Sequence, residues 1–189
     1  MTNMKNIKIA AIGDSITYGF PYTPEQSWLN RAAERLNLSY VNSGINGDTT
    51  DGMAGRFSRD VLQYQPTHVV IMGGTNDAYL ESEVDSVMDN IRYMSELALK
   101  NNIVPIIGIP IPCNDLGEEL LLGQYRKEMQ NYAASGGFDV IDFYVAMAGG
   151  KGTEFNAELY YDEAHPNEDG YSIMTDVAIE FLVKKLITM

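Results

Sequence analysis

Short runs of β-type residues alternate along this chain with longer stretches in which apolar residues recur every three or four positions. The short runs predict strands over 7–12, 39–43, 67–72, 105–109 and 138–142. The longer stretches predict amphipathic helices, because side chains three or four residues apart share one face of a helix. This alternation of strand and helix predicts an α/β fold, a parallel sheet covered by helices on both faces.

The predicted helices have start signals and apolar stripes of their own. Thr23-Pro24-Glu25-Gln26 combines an N-capping threonine, a first-turn proline and a returning glutamine. The apolar stripes are Leu29, Ala32, Ala33 and Leu36; Val84, Val87, Met88, Ile91, Met94 and Leu97 within 83–100; Leu122, Tyr125, Met129 and Tyr132; and Ile173, Val177, Phe181 and Leu182 within 168–187. We expect Pro105 to open its strand, where a missing N–H does least harm. No repeat or linker interrupts the pattern, which predicts one domain over residues 1–189.

The charge balance narrows the classes of partner. The chain has 26 Asp and Glu against 13 Lys and Arg, a formal net charge of −13. Nucleic acids and anionic membrane surfaces both require clustered positive charge, so neither is expected as a partner. No apolar run is long enough to span a bilayer. The lone Cys113 and the absence of a signal-peptide core favour a cytoplasmic location, and the oligomeric state stays open.

Polar residues collect where the predicted strands end. Gly13-Asp14-Ser15 follows the first strand, GINGDTT (44–50) the second, GGTND (73–77) the third and YDEAHPN (161–167) the fifth. Ligands of open α/β sheets bind beyond the carboxyl ends of the strands. The sequence therefore predicts one polar site along this edge of the sheet.

Two residues in these blocks have the chemistry of a base and its orienting group. Of the two histidines, His165 lies at this edge, with Asp162 three residues before it to accept the Nδ1 proton. His68 begins its strand at the opposite edge, so we expect it to be structural. The alternative role of Asp162 is that of a turn aspartate, and Asn76 in GGTND (73–77) is by itself more often a turn former.

The same blocks offer a nucleophile and donors for an oxyanion. Ser15 is the candidate nucleophile, although Ser15 or Asp14 would also serve as a helix cap. The N–H of Ser15 and the side-chain amide of Asn76 are candidate oxyanion donors. A glycine lets its backbone approach a substrate closely, and both Gly44 and Gly47 qualify on chemistry.

Taken together, the four blocks resemble those of the SGNH or GDSL hydrolases. That family has a Gly-Asp-Ser block, a second-block glycine, a Gly-x-Asn-Asp block and a C-terminal Asp-x-x-His. Here they are Gly13-Asp14-Ser15, NSGINGDTT (42–50), Gly74-Thr75-Asn76-Asp77 and Asp162-Glu163-Ala164-His165. The resemblance implies a flavodoxin-like three-layer α/β/α sandwich with strand order 2-1-3-4-5. It also implies that Gly47 is the third oxyanion donor and Gly44 a turn glycine.

The resemblance implies a serine ester hydrolase that cleaves small acyl or aryl esters through an acyl-enzyme, with no metal or cofactor. An acyl thioesterase or lysophospholipase with the same Ser15, His165 and Asp162 is the alternative. A non-catalytic FMN-binding module is the alternative from another class of function. Ser15 and Thr17 would then lie near the FMN phosphate, but Asp14 would repel that phosphate. The α/β-hydrolase fold is disfavoured, because Thr17 stands where the Gly-x-Ser-x-Gly elbow needs glycine.

Other residues near this edge carry weaker expectations. We expect Asp14 to brace its turn, and Asp48 and Asp77 to act as local caps. Cys113 and Asn114 are expected to line the edge. An acyl pocket or core packing is expected for Tyr18, Phe20, Tyr22 and Trp28. Solvated surface or a basic patch is expected for Arg31, Arg35, Arg56 and Arg59. The acidic residues Glu81, Glu83, Asp85 and Asp89 are expected to form the solvated start of a helix.

Overall fold

Five parallel strands form one sheet in a computed structural model that describes residues 7–149 and 155–187. The strands are β1 (Lys8–Gly13), β2 (Ser39–Gly44), β3 (His68–Met72), β4 (Val104–Ile109) and β5 (Asp139–Asp142). Their order across the sheet is β2-β1-β3-β4-β5. The predicted fold class and strand order are confirmed, and the strand bounds differ from the prediction by a residue at one or both ends.

Helices fill the connections between these strands. They are α1 (Ser15–Tyr18), α2 (Trp28–Arg35), α3 (Thr50–Asp60), α4 (Thr75–Tyr79), α5 (Val84–Lys100), α6 (Leu116–Gly136), α7 (Phe143–Met147) and α8 (Glu168–Leu182). Short 3₁₀ turns lie at Pro24–Gln26, Leu62–Tyr64 and Ala157–Leu159, and a π-helical turn at Val183–Ile187 extends α8. None of the helices in the described ranges is long and apolar enough to cross a membrane.

The sheet separates two apolar layers, because successive strand side chains point to opposite faces. Ile9 and Ala11 of β1 pack with α2, α7 and α8 in one layer. Ala10 and Ile12 of the same strand pack with α3, α5 and α6 in the other. The largest fully buried side chains are Trp28, Phe143 and Tyr171 in the first layer and Tyr125 and Phe57 in the second. The architecture is therefore a three-layer α/β/α sandwich.

Two details differ from the prediction: the first residue of β4 and the most deeply buried positions of α8. Strand β4 begins at Val104, so Pro105 is its second residue. Val104 N–H donates to Thr67 on the β3 side, which directs Pro105 toward β5, and β5 starts to pair only at Ile106. The missing N–H of Pro105 therefore leaves no strand unpaired. In α8 the most deeply buried positions are Tyr171, Met174, Thr175, Ala178 and Leu182, whereas the predicted Ile173, Val177 and Phe181 are partly buried.

The central strands end level with one another. Gly13 at the end of β1 is in register with Gly44 on β2 and with Met72 on β3. The Gly-Asp-Ser block, the 44–50 loop and the Gly-x-Asn-Asp block therefore begin side by side. Strand β1 is where the chain changes direction across the sheet, since β2 lies on one side of it and β3 on the other.

Candidate active site

Ser15 follows β1 after a turn that has no room for a larger residue at Gly13. A Cβ on Gly13 would lie 2.2 Å from Thr17 Oγ1 and 2.8 Å from the Met72 carbonyl oxygen. Asp14 caps α1, because its Oδ1 accepts a hydrogen bond of 2.9 Å from Ile16 N–H. Asp14 thus performs the capping role that the sequence left open between it and Ser15. The Ser15 hydroxyl remains available for another partner.

That partner is His165. Ser15 Oγ lies 2.9 Å from His165 Nε2, although the two residues are 150 positions apart in the chain. On the other side of the ring, His165 Nδ1 lies 2.9 Å from Asp162 Oδ2 and 3.0 Å from Oδ1. With the proton on Nδ1 donated to Asp162, Nε2 has a lone pair directed at the serine hydroxyl.

Asp162 is held in its ionised form. Partial burial acts to raise its pKa, but hydrogen bonds from the backbone N–H groups of Ala164 and His165, and from the His165 ring, prevail and lower it below the usual value. The two backbone bonds to Oδ1 are 2.9 and 2.8 Å long. A negative charge therefore faces the imidazole ring at neutral pH.

The loop carrying Asp162 and His165 is fixed by its neighbours. Tyr161 N–H donates to the His165 carbonyl at 2.8 Å, which closes the loop on itself. Asn114 N–H donates to the Glu163 carbonyl at 2.8 Å, so Asn114 supports the loop through its backbone. The ring of Phe20 meets the His165 ring edge-on, with centroids 4.6 Å apart. These contacts restrict the orientation of the imidazole.

Asn76 and the loop after β2 are also in contact. Asn76 lies in the first turn of α4, and its Nδ2 donates to the Asp48 carbonyl at 2.9 Å. One amide hydrogen is used in this bond and the second stays available. Gly47, next to Asp48, is exposed, has φ +77°, and would have nothing within 4 Å of an added Cβ. The structure thus places Asn76 beside the loop that carries Gly47.

Gly44 has a different environment. A Cβ on Gly44 would lie 2.1 Å from the Tyr18 backbone nitrogen, so glycine is required for β2 to approach α1. Asn42, a residue that the sequence analysis missed, reinforces this approach. Its Nδ2 donates to the Thr17 carbonyl at 2.9 Å, and its Oδ1 accepts from Gly44 N–H at 2.9 Å.

The contacts of Asp77 and Asp48 and the burial of Arg56 differ from what the sequence predicts. Asp77 is not a local cap, because it accepts hydrogen bonds from Thr50, 27 residues away. Asp48 does accept locally from Thr49 N–H, but its other oxygen binds Arg56 at 2.7 Å. Arg56 itself is buried, so the surface and basic-patch expectations are wrong for it. The spacing of Asp48, Gly52, Arg56 and Asp60, four residues each, was a visible signal of this cluster.

A second buried arginine supports the edge beyond β4. Arg126 forms an ion pair with Glu119 and lies 4.1 Å from the Tyr144 ring centre. Glu119 also accepts a hydrogen bond of 3.1 Å from Cys113 N–H. Cys113 is buried rather than lining the edge, and burial, followed by Glu119 and Glu118, raises its pKa to about 12. Its thiol is therefore neutral.

His68, Trp28 and Tyr22 have contacts typical of structural residues. His68 is in register with Ile9 near the start of β1, at the opposite edge of the sheet, and burial lowers its pKa. Trp28 is a core residue that packs against Phe143, and Tyr22 packs against Tyr171. Among the residues described, no cluster of three or more His, Cys, Asp or Glu side chains is arranged to hold a metal ion.

Residues 11–173 match the model of the GDSL-like lipase/acylhydrolase family. The fold superimposes on that of a protein from Desulfitobacterium hafniense DCB-2 assigned to the lipolytic G-D-S-L family, with a TM-score of 0.86 and 31% identity. The superposition covers 93% of this chain and 99% of that one.

Two curated relatives match shorter stretches. The uncharacterized lipoprotein YqeF of Bacillus subtilis is 38% identical over 117 residues, which are 55% of this chain and 48% of that protein. An acetylxylan esterase of Geobacillus stearothermophilus is 26% identical over 152 residues, 74% of this chain and 69% of the esterase. The match to the lipoprotein thus spans about half of that protein's length.

Proposed function

This chain belongs to the GDSL-like lipase/acylhydrolase family, and from that premise we propose that it is a serine ester hydrolase with Ser15 as its nucleophile. The observation that carries the proposal is the line of hydrogen bonds from Ser15 Oγ through the His165 ring to Asp162, each 2.9 Å long at its shortest. A serine is a weak nucleophile until a positioned base removes its proton. His165 and Asp162 supply that base and its orienting group.

The chemistry follows from this geometry. Ser15 Oγ attacks the ester carbonyl carbon while its proton passes to His165 Nε2, and the carbonyl oxygen becomes an oxyanion. His165 then gives the proton to the leaving alcohol, and the C–O bond breaks to leave an acyl-serine. Water, deprotonated by His165, attacks the acyl carbon; the bond from that carbon to Ser15 Oγ breaks, His165 returns the proton to Oγ, and the acid is released. Ionised Asp162 stabilises the imidazolium in both halves of the reaction.

Three groups are proposed to bind the oxyanion: the N–H groups of Ser15 and Gly47 and the free Nδ2 hydrogen of Asn76. In support, Ser15 is the first residue of α1, where a backbone N–H has no partner within the helix. The Asn76 amide is already oriented by the Asp48 carbonyl. One preorganised donor of this kind contributes about 3 kcal/mol to transition-state stabilisation.

We propose small, uncharged acyl or aryl esters as the substrate class. The segments that follow β2, β3 and β4 at this edge are short, residues 45–49, 73–74 and 110–115, so they offer little length for a lid or an acyl tunnel. The net charge of −13 disfavours polyanionic substrates. The 26% identical acetylxylan esterase acts on a short acyl group, which favours an ester over the thioesterase or lysophospholipase alternative.

The rival flavin-binding function has less support. An FMN phosphate at the end of β1 would meet the buried carboxyl group of Asp14, which already caps α1. It would also leave the contacts among Ser15, His165 and Asp162 without a purpose.

We also propose a single domain over 1–189 and a cytoplasmic location. The similarity to a named lipoprotein bears against the cytoplasmic location.

The test is to compare the parent protein with Ser15→Ala and with Ser58→Ala, a change at an exposed serine on α3. We expect Ser15→Ala to lower kcat for a nitrophenyl acetate by about 10⁴-fold or more without changing the melting temperature, because the nucleophile is lost. Ser58→Ala should retain full activity. A serine-directed organophosphonate should add its mass to the peptide that contains Ser15. Near-parental activity of Ser15→Ala, or labelling of another serine, would refute the assignment.

A further inference from the structure

We propose that Arg56 is a positioning residue for the oxyanion donors, a role that rests on the proposed function. Its guanidinium joins the end of β1 to the loop after β2, and through that loop it orients the Asn76 amide. No part of Arg56 needs to touch substrate. Arg56 acts by keeping Gly47, on the loop after β2, and Asn76, in α4, in place beside Ser15.

The guanidinium of Arg56 binds three different segments. Nη2 donates to the Gly13 carbonyl at 3.0 Å, two residues before Ser15. Nε donates to Asp48 Oδ2 at 2.7 Å, next to Gly47. Nη1 donates to Asp60 Oδ2 at 3.1 Å, one helical turn further along α3. The position of the side chain is therefore determined from three directions.

A continuous line of contacts leads from Arg56 to Asn76. Arg56 holds the carboxylate of Asp48, and the backbone carbonyl of Asp48 accepts the hydrogen bond from Asn76 Nδ2 at 2.9 Å. A shift of Asp48 would therefore rotate or release the Asn76 amide and move the adjoining Gly47. Since Arg56 also binds Gly13, the same guanidinium keeps this loop in register with the strand that carries Ser15.

The ion pair of Arg56 and Asp48 is buried, and stabilisation of the fold alone does not fully explain it. The side chains of Arg56 and Asp48 are 8% and 12% exposed, so both charges have lost most of their hydration. Such a pair often adds little net stability compared with an apolar replacement. Oxyanion donors, by contrast, act only if they are fixed before charge develops. The planar donor set of arginine suits a three-way bridge that the single ammonium group of lysine cannot reproduce.

Gly52 allows this arrangement to be disturbed without changing Arg56. A Cβ on Gly52 would lie 2.0 Å from Asp48 Oδ1, so Gly52→Ala must displace the Asp48 carboxylate. Gly52 lies in the first turn of α3, and alanine favours helix over glycine by up to about 1 kcal/mol. The substitution therefore perturbs the contact to Asp48 while it supports the helix.

The experiment measures kcat and KM for a nitrophenyl acetate, and inhibition by a boronic acid that forms a tetrahedral adduct on a serine. The variants are Arg56→Lys, Gly52→Ala and, as a control, Arg59→Lys, where the arginine is 68% exposed and pairs with the same Asp60. For the first two we expect kcat to fall about 10- to 100-fold, because small misplacements of catalytic groups have effects of this size. KM should stay within about twofold, and the boronic acid should bind more weakly by a factor similar to the loss in kcat.

Melting temperatures separate positioning from structural support. The proposal expects Gly52→Ala to lose kcat while it unfolds within a few degrees of the parent and of Arg59→Lys. If Arg56→Lys does not fold, Gly52→Ala decides alone. The proposal is overturned if kcat of the folded variants stays within about twofold of the parent value. It is also overturned if kcat falls only in variants whose melting temperature falls, and in proportion to that fall. Activity that survives Ser15→Ala would instead refute the proposed function itself.

Discussion

Asp77 and Thr50, 27 residues apart in the chain, are joined by three hydrogen bonds. Thr50 N–H donates to both carboxylate oxygens at 3.0 and 3.2 Å, and Thr50 Oγ1 donates to Oδ1 at 2.7 Å. Asp77 therefore closes the first turn of α3 from a different part of the fold. Because Asp77 directly follows Asn76, the same bonds hold α4 against α3.

Loss of this carboxylate should destabilise the protein. We expect Asp77→Ala to lower the free energy of unfolding by about 1 to 3 kcal/mol, because it leaves a buried N–H and a buried hydroxyl with fewer acceptors. Asp77→Asn, which keeps one acceptor oxygen, should have a smaller effect. Urea unfolding measures both, and Asp51→Ala, an exposed change in the same turn of α3, is the control. Equal effects at positions 51 and 77 would contradict this role.

The two histidines should respond differently to removal. We expect His165→Ala to lower kcat as severely as Ser15→Ala, by about 10⁴-fold or more, because nucleophile and base act as one unit. His68→Ala should leave kcat unchanged and affect the melting temperature alone, since its ring bonds Thr67 at the opposite edge of the sheet. Steady-state kinetics with a nitrophenyl ester measures the difference. Similar rate losses in the two variants would contradict the assignment of the base.

Asp14 should make stability depend on pH. Its carboxyl group is buried, and burial, with smaller contributions from Asp77 and Asp48, raises its pKa from 3.8 to about 7. Between these two values the folded state holds a proton that the unfolded state has released. The stabilisation is complete below about pH 4 and is lost as the pH rises through about 7.

Asp14→Asn isolates this contribution, because the amide oxygen can still accept from Ile16 N–H and the group no longer titrates. We expect the melting temperature of the variant, relative to the parent, to increase from about pH 4 to about pH 7 and to level off above that. Thermal unfolding at a series of pH values measures the difference. Two parallel curves would show that Asp14 has an ordinary pKa in the folded protein.

Substrate preference should favour short, uncharged acyl groups. The expected order of kcat/KM is an acetyl or butyryl ester first, with a palmitoyl ester and an acyl-coenzyme A well below it. The short segments at the site edge and the net charge of −13 are the physical reasons. The comparison is made at low ionic strength, where charge repulsion is least screened. A clear preference for the palmitoyl ester or the thioester would support the lysophospholipase or thioesterase alternative.

The parts of the fold and site that could be predicted depend on local pattern or on the resemblance of four short blocks to a known family. The sheet order followed from the resemblance, and the strands from runs such as Val69–Met72, which are fully buried. Bounds differed by one residue where a cap or glycine decides them, as at Gly13. Ser15, Asn76, Asp162 and His165 stood out as candidates because their chemistry suits acyl transfer and because they follow predicted strands.

The parts that could not be predicted depend on residues distant in sequence. Asp77 bonds Thr50 across 27 residues, and Arg56 bonds Gly13 across 43. A charged residue on a helix is usually solvated, so the sequence favoured the same exposed position for Arg56 as for Arg59, which is exposed. The spacing of Asp48, Gly52, Arg56 and Asp60 indicated a shared face but not that this face would be buried. Only the packing of α3 against the sheet decides that.

The distance along the chain between Ser15 and His165 bears on when the protein can begin to react. Synthesis at roughly 5 to 20 residues per second separates the emergence of two residues 150 positions apart by about 8 to 30 s. During that interval the nascent chain carries Ser15 without the base proposed for it, and a serine without a base is a weak nucleophile. In the proposed mechanism the hydroxyl gains its base only when the loop that ends at Pro166 docks beside Phe20. If the chain is the ester hydrolase proposed above, ester cleavage by newly made protein will report that the last strand and its following loop have folded.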